Sequence, residues 1–335
     1  MDVGVSLELG SWSVDVLPRM IVAEPIMESP KTNSASLAGE LARRVSSASV
    51  VRANEPLAKK TTLRVGGPAD VYVEPASEDD LAAVLKLCAE RDENFFVLGR
   101  GSNLLVRDGG IRGVVICLSH PAFSAIEISG DLLRCGAGVK LKQVSVEAKR
   151  AGLTGVEFLE GIPGSVGGAL RMNAGAMGGE TFGAVQSVRV MDRAGNARDI
   201  AGSEITAEYR SCELLKDHIA LGVVFKCNHA TREEVEQRMS TFSNKRWDSQ
   251  PAAPSAGCCF KNPTTIPAGK LVQELGLKGT KVGGAMVSFE HGNFIVNDGH
   301  ATARDVLDLI ALIKSKAKAE RGIELHTEVE IVGED

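Results

Sequence analysis

The chain has 335 residues, of which 44% are hydrophobic and 24% are charged, and its formal net charge at neutral pH is −5. This length is enough for two or three domains with their own cores, and the mild acidity argues against general binding to nucleic acid or to a membrane surface. The seven cysteines form no C-x-x-C pair and no metal-ligand spacing with the six histidines, as is typical of a reducing compartment, so we expect a cytoplasmic protein without a bound metal ion.

The first 50 residues differ in composition from the rest of the chain. They mix short apolar patches with Ser, Ala and Pro, and the early acidic residues Asp2 and Glu8 argue against a secretory signal peptide. We expect residues 1–50 to form a flexible N-terminal extension. Within it, residues 37–45 have the apolar spacing of one short amphipathic helix.

Residues 51–118 alternate between extended and helical patterns. The spacing of apolar residues predicts a helix over 77–91, and an apolar run predicts a buried strand over 95–98. Further strands are expected at 70–73 and 113–118. This alternation is typical of an α/β unit.

The remainder of the chain mixes both element types without a fixed repeat, which predicts an α+β fold. Helices are expected near 142–151, 231–246, 269–275 and 303–320. Strands are expected at 185–191, 204–209, 219–226, 285–288, 292–296 and 324–332.

Two glycine-rich loops are the most informative local feature. Residues 161–180 contain seven glycines, and a second loop covers 97–110 directly after the predicted strand. Dense glycine permits left-handed turns and lets backbone N–H groups approach an anionic ligand closely. Taken alone, each loop could equally be a tight turn that binds no ligand. Two such loops on separate strand systems suggest a large phosphate-bearing cofactor held between subdomains.

The usual nucleotide-binding motifs do not fit either loop. A dinucleotide-binding turn needs G-x-G-x-x-G, and Gly99-x-Gly101 is followed by Leu104 at the third position. A P-loop needs Ser or Thr after its Gly-Lys pair, but Gly269-Lys270 is followed by Leu271.

Seven segments together resemble one enzyme family, in the order in which that family carries them. They are NEPLAKKTTLRVGGPAD (54–70), LGRGSNLLVRDGGIRG (98–113), GIPGSVGGALRMNAGAMGGE (161–180), PSAGCCFKNP (254–263), AGKLVQELGLKG (268–279), GGAMVSFEHGNFIVN (283–297) and EVEIVG (328–333). The family is UDP-N-acetylenolpyruvoylglucosamine reductase. The chain resembles its shorter form, because the stretch 210–250 leaves little room for the extra insertion of the longer form.

The resemblance implies a fold, a reaction and two cofactors. The fold would be a two-lobed FAD-binding module of the PCMH/vanillyl-alcohol-oxidase type, followed by an α+β substrate-binding domain. NADPH would reduce FAD, and the flavin would then reduce the enolpyruvyl group of UDP-N-acetylglucosamine enolpyruvate to give UDP-N-acetylmuramate for bacterial cell-wall synthesis. We expect a monomer in four regions: an extension (1–50), FAD lobe 1 (51–118 plus 323–335), FAD lobe 2 (119–230) and a substrate domain (231–322).

By the resemblance, both glycine loops bind FAD. The residues implied are Gly99, Arg100, Gly101, Ser102, Asn103, Gly161, Ile162, Pro163, Gly164, Ser165, Gly168, Asn173 and Gly175.

The resemblance also implies two charged catalytic residues. Arg210 matches the arginine of the family, and a guanidinium group suits a carboxylate bidentately. Cys212 replaces the serine that usually follows two positions later. Glu328 lies on the predicted closing strand, where it would share a face with Glu330.

Cys258 stands where family members usually carry the serine that gives a proton to the substrate. A thiol with an unperturbed pKa of about 8.5 is a stronger acid than a hydroxyl and remains mostly protonated at neutral pH. We therefore expect Cys258 to serve as the proton donor. The neighbouring Cys259 is expected to be a small buried residue.

Binding of the UDP-sugar is implied for five residues at the family's substrate-side positions. They are Tyr209, Lys261, Asn262, Ser288 and His291. Lys245, Arg246 and Lys270 lie near the same motifs and could contact the diphosphate. Two other functions stay open: another FAD-dependent oxidoreductase of the same architecture, and a UDP-sugar binder without catalytic activity.

Overall fold

The computed structural model describes residues 34–335, which cluster as one compact unit. Its α-helices are α1 (Ser34–Arg44), α2 (Glu78–Arg91), α3 (Leu141–Arg150), α4 (Val166–Arg171), α5 (Leu214–Asp217), α6 (Arg232–Trp247), α7 (Ala268–Glu274) and α8 (Ala303–Arg321). Within these residues no helix is both long enough and apolar enough to cross a bilayer.

Most of the strands are short, and the longest has eight residues. They are β1 (Val50–Pro56), β2 (Pro68–Glu74), β3 (Phe95–Val97), β4 (Leu104–Val106), β5 (Ile111–Ile116), β6 (Ile126–Ser129), β7 (Leu132–Gly136), β8 (Leu153–Thr154), β9 (Gly175–Ala176), β10 (Gly179–Glu180), β11 (Val185–Met191), β12 (Ala197–Ala201), β13 (Ala207–Glu208), β14 (Ser211–Cys212), β15 (Ile219–Lys226), β16 (Asn228–His229), β17 (Ser255–Cys258), β18 (Lys281–Val282), β19 (Ala285–Val287), β20 (Phe294–Asn297) and β21 (Glu330–Val332).

The first sheet has the strand order β1-β2-β5-β3, and β2, β5 and β3 run parallel. Their carboxyl ends therefore meet at one edge of the sheet, where the glycine loop 98–103 begins. Helix α2 covers one face and is capped by the Ser77 hydroxyl, which accepts a hydrogen bond from the Asp80 N–H group. Strand β3 was predicted to be buried, but Val97 is exposed because this strand borders the cavity described below.

The second sheet is antiparallel, with the order β12-β11-β15-β7-β6. Its core includes residues of α3 and α4, among them Val144 and Leu170. Helix α6 also packs here, with Val235 and Met239 buried and with contacts to α3 and β8. This helix follows residue 231, the predicted start of the substrate domain, and it packs with the second sheet.

The third sheet has the antiparallel order β17-β20-β19-β18 and packs against α7 and α8. The same core includes Leu63 and Leu105 from the N-terminal half of the chain. The closing strand β21 leaves this region and pairs in parallel with β4. The sequence predicted a closing strand over 324–332, but only its last three residues form one.

The end of the predicted extension is structured. Residues 34–44 form α1, whose Leu37 and Leu41 side chains are buried against the core that contains α2. Two ion pairs, Arg44–Glu90 and Arg91–Glu40, also join the two helices at N–O distances of 2.7 Å. The prediction of a flexible extension is thus wrong for this part, and residues 1–33 lie outside the described residues.

Candidate active site

A cavity of about 920 Å³ lies where the three sheets meet. The carboxyl end of β2 and the residues that follow β5 and β3 form one side of it, and both glycine loops also line it. Its far end is bordered by Arg210, Cys258 and Glu328. A cavity of this size lies in the range that large cofactors and substrates occupy.

The two glycine loops approach each other closely across the cavity. A Cβ atom built on Gly99 would lie 3.0 Å from the Ser165 Oγ atom, and one built on Gly164 would lie 3.7 Å from the Ser102 Oγ atom. Gly101 has a φ of +60°, in the left-handed region that favours glycine. The sequence predicted that the loops face one cleft, and in the structure both line this cavity.

The first loop offers a row of backbone donors. Among residues 34–335, no group accepts a hydrogen bond from the N–H groups of residues 99–103. The N–H groups of Gly164 and Ser165 on the second loop are likewise without an acceptor in the described chain. These unpaired N–H groups border the cavity and are available to an anionic ligand, so such a cradle fits a diphosphate, and the residues present therefore fit FAD.

Eleven of the thirteen predicted FAD residues line the cavity, and Gly161 and Asn173 do not. The Asn173 side chain instead donates to the Glu180 carboxylate at 3.2 Å and to the Glu208 carbonyl at 3.3 Å. Its amide oxygen accepts from the Phe182 N–H group. The Asn173 amide therefore holds the second glycine loop to neighbouring segments of the chain, and these contacts occupy it without a cofactor.

The cavity lining is basic although the whole chain is acidic. Its cationic residues are Lys59, Lys60, Arg100, Lys140, Arg171, Arg193, Arg210, Lys216 and Arg246, and its carboxylates are Glu74, Asp217, Glu328 and Glu330. A surplus of cations in a cleft favours anionic ligands such as diphosphates and carboxylates. The sequence did not indicate that Arg171 and Arg193 would line the cavity.

Arg210 and Glu328 form an ion pair, although 118 positions separate them in the sequence. The Arg210 Nε atom donates to a Glu328 carboxylate oxygen at 2.7 Å, and both side chains are largely buried. Burial acts to lower the pKa of Arg210, but the contact with Glu328 outweighs it and raises that pKa. Tyr209 lies against the same pair, with its ring 4.6 Å from the Arg210 guanidinium carbon and its hydroxyl 3.4 Å from Glu328.

A tight turn holds Arg210 in this position. Strands β13 and β14 pair as a hairpin whose two turn residues are Tyr209 and Arg210. Arg210 has a φ of +58°, a conformation that non-glycine residues seldom adopt. The predicted strand over 204–209 is therefore wrong beyond two residues, because the chain reverses at this turn.

Cys258 ends strand β17, with its side chain half-buried at the cavity. Burial raises the pKa of its thiol to about 11, with a further contribution from Glu328, while Arg210 and Arg246 act in the opposite direction. The thiol is therefore protonated at neutral pH. Cys259 directly follows the strand and is buried, as predicted.

Hydrogen bonds fix the Glu328 backbone next to Cys258 and to the first glycine loop. The Glu328 N–H group donates to the Cys259 carbonyl at 2.8 Å, and Asn103 of the first glycine loop donates to the Glu328 carbonyl at 3.0 Å. The cofactor loop and two of the three predicted catalytic residues are thus fixed to one another.

The five predicted substrate residues do not line the cavity. Tyr209 lies beside it against Arg210. Lys261 and Asn262 are exposed, and the Asn262 amide oxygen accepts from the first N–H group of α7. The Ser288 hydroxyl accepts from two backbone N–H groups in a turn, and His291 Nδ1 accepts from Asn293 N–H. These internal contacts explain both residues without a ligand.

Arg246 lines the cavity and lies close to the second glycine loop, with its Cδ atom 3.4 Å from the position of a Cβ atom on Gly161. No acceptor among the described residues pairs with its guanidinium group. Burial lowers the pKa of Arg246. The sequence indicated this residue only as one of several nearby cations.

Comparisons with known proteins define the class first. Residues 69–201 match the family model described as an FAD binding domain. The chain therefore has the α+β fold expected, with a two-lobed FAD-binding module of the PCMH/vanillyl-alcohol-oxidase type, and it is an FAD-binding oxidoreductase.

Residues 250–332 match the C-terminal domain of UDP-N-acetylenolpyruvoylglucosamine reductase. Reductases of that name from Syntrophomonas wolfei and Clostridioides difficile are each 42% identical over 287 residues, which cover 85% of this chain and 96% and 94% of theirs. A crystal structure of the reductase from Thermus caldophilus is 39% identical, with a TM-score of 0.74 over 84% of this chain and 98% of that one. The chain belongs to the UDP-N-acetylenolpyruvoylglucosamine reductase family.

Proposed function

We propose that the protein reduces the enolpyruvyl group of UDP-N-acetylglucosamine enolpyruvate to the lactyl ether, giving UDP-N-acetylmuramate. One observation carries the proposal: Arg210, Cys258 and Glu328 come from three distant segments and border the same end of a cavity lined by both glycine loops. Family membership supplies the substrate, because relatives that match nearly their whole length bear the name of this reductase.

The glycine loops would hold FAD through its diphosphate. The N–H groups of residues 99–103, Gly164 and Ser165 are the donors available for it. When bound, FAD would carry hydride from NADPH to the substrate. That cofactor would lie between the sheets, with the proposed catalytic residues at one end of the same cavity.

The chain itself must stabilise charge and deliver one proton. Only the Nε atom of Arg210 is paired with Glu328, and its two Nη groups have no hydrogen-bond acceptor among residues 34–335. These groups would bind the substrate carboxylate and stabilise negative charge that develops there. Cys258, protonated at neutral pH, would donate its proton to C2, the enolpyruvyl carbon that bears the carboxylate. Arg210 and Arg246 would stabilise the thiolate that remains.

We also propose a division of the chain that follows its cores. Lobe 1 would contain the first sheet and β21, lobe 2 the second sheet with α6, and the substrate domain the third sheet from about residue 250. The contacts of α6 and the start of the matched C-terminal segment favour this boundary over residue 231. The unpaired state of all seven cysteines supports a cytoplasmic location.

Product analysis separates the proposal from its alternatives. Purified yellow protein is incubated with NADPH and UDP-N-acetylglucosamine enolpyruvate, and the nucleotide product is examined by mass spectrometry. We expect one NADPH oxidised for each product molecule that has gained two hydrogen atoms. NADPH oxidation that ignores this substrate would favour another oxidoreductase, and substrate binding without conversion would favour the binder.

A further inference from the structure

Asn293 is a buried polar residue beside Cys258 for which the proposed function so far has no role. Its side chain is only 2% exposed, and it lies just before β20, the strand that pairs with β17. In that pairing Cys258 is opposite Phe294, so Asn293 is next to the partner of the cysteine. Burial of an amide is costly unless all its hydrogen-bonding groups are used.

Asn293 forms hydrogen bonds with the two residues that directly follow Cys258. Its oxygen accepts from the Phe260 N–H group at 2.8 Å, and its nitrogen donates to the Phe260 carbonyl at 2.8 Å. The Asn293 backbone carbonyl accepts from the Cys259 N–H group at 2.7 Å. Three hydrogen bonds from one residue thus fix the backbone on the carboxyl side of Cys258.

The same amide also acts on the thiol. The Asn293 side chain lowers the pKa of Cys258 and partly offsets the effect of burial. An amide nitrogen carries two hydrogens, so one remains for the sulfur when the other is bonded to the Phe260 carbonyl. The other groups that act on Cys258 are Glu328, Arg210 and Arg246.

We propose that Asn293 is a positioning residue for Cys258: it holds the thiol toward the cavity through the Phe260 backbone and stabilises the thiolate left after proton donation. This inference rests on the proposed role of Cys258 as the proton donor. His291 supports the arrangement, because its Nδ1 atom accepts from the Asn293 N–H group at 3.1 Å and fixes the turn before β20.

The test uses Asn293→Asp with Asn297→Asp as its matched control. Asp has the shape of Asn but carries no N–H group, so it donates neither to the Phe260 carbonyl nor to the sulfur, and when ionised it repels a thiolate. Asn297 is also buried and lies at the end of β20, but its amide bonds to the Leu63 carbonyl and to the N–H groups of Gly299 and Ala301. Both variants replace a buried amide, and only one should affect Cys258.

The first readout is the rate at which iodoacetamide modifies Cys258 at one mildly alkaline pH, followed by mass spectrometry of the peptide, with Cys258→Ser as the blank. We expect Asn293→Asp to slow modification by about tenfold, as the loss of one hydrogen bond to the charged form predicts. Asn297→Asp should keep the wild-type rate. Should Asn293→Asp not fold, Asn293→Ala removes the same donor and should show the same direction.

The second readout is turnover of the holoenzyme. We expect kcat to fall about tenfold or more in Asn293→Asp with little change in KM, because only proton donation is affected. An unchanged modification rate, or an equal fall in both variants, overturns the inference. The modification rates need no substrate, so they decide the inference even where the wild type fails to reduce the enolpyruvyl compound and the proposed function falls.

Discussion

Arg210 combines an unusual backbone conformation with the charge that the proposed reaction needs. It occupies the second turn residue of a two-residue hairpin, where glycine or asparagine would be expected for a φ near +58°. Strain of this kind persists at functional sites when the surroundings hold it in place. Here the Glu328 carboxylate and the Tyr209 ring both contact the guanidinium group.

Replacement of Arg210 or Glu328 should affect only the reduction of the substrate. Both residues are proposed to act on charge in the enolpyruvyl group, which oxidation of NADPH does not involve. In Arg210→Ala and Glu328→Gln we expect bleaching of the flavin by NADPH at near the wild-type rate, and reoxidation by the substrate slowed by about 10²-fold or more. Anaerobic stopped-flow absorbance measures both steps. Equal damage to the two steps would mean that the ion pair is structural.

Modification of Cys258 should be slow at neutral pH and accelerate with alkalinity. Its folded-state pKa is raised to about 11, so the reactive thiolate is scarce below that pH and increases about tenfold with each unit. The rate of iodoacetamide labelling, measured at several pH values, should follow this slope, and bound substrate should reduce it. A rate that levels off near neutral pH would show that the thiol is far more acidic than its surroundings imply.

At the scale of elements, apolar periodicity predicted most of the regular structure. The helix over 303–320 and the strands over 185–191 and 219–226 were confirmed: the helix buries one face, and the second strand is buried along nearly all of its length. The sequence did not show where strands end at the site. Residues 207–212 reverse in a local hairpin. Residues before 330 bond to the Cys259 backbone, and that contact joins segments distant in sequence.

Gly101 and Gly130 form a matched pair for testing the first glycine loop. Both have a φ of +60°, so Ala at either position carries a similar backbone cost, about 1–2 kcal/mol. A Cβ atom on Gly101 would lie 2.8 Å from the Thr61 Cα atom, whereas one on Gly130 meets nothing within 4 Å. We expect Gly101→Ala to lose most of its bound FAD and Gly130→Ala to keep it, as measured by flavin absorbance per protein. Full flavin content in both variants would contradict the role of this loop.

At the scale of the whole molecule, the cavity is built by all three sheets. The sequence motifs predicted which loops would meet there, and eleven of thirteen expected FAD residues line it. The internal role of Asn173 could not be predicted, because it depends on the Glu208 carbonyl, which only the folded chain brings near. Ser288 and His291 bond to backbone groups two or three residues away, and the sequence did not indicate that these turns would use them. The helix predicted over 37–45 is confirmed by α1, whereas its packing against the core that contains α2 was not predicted, because that contact joins segments distant in sequence.

The protein should be active as a monomer. Every group assigned to the site comes from one chain, so nothing in the proposed mechanism requires a second copy. Sedimentation of the yellow protein should give a mass near 35.4 kDa, with the same specific activity on dilution. Activity that falls as the protein is diluted would show that association completes the site.

The rate of flavin reoxidation by the substrate, compared among three forms of the protein that differ at position 258, tests the central claim most directly. The measured quantity is the rate at which UDP-N-acetylglucosamine enolpyruvate reoxidises the reduced flavin in wild type, Cys258→Ser and Cys258→Ala. We predict that Cys258→Ser keeps substantial activity, and that Cys258→Ala loses roughly 10²–10⁴-fold, as expected when a positioned general acid is removed. Reoxidation of Cys258→Ala at the wild-type rate would contradict the assignment of Cys258 as the proton donor.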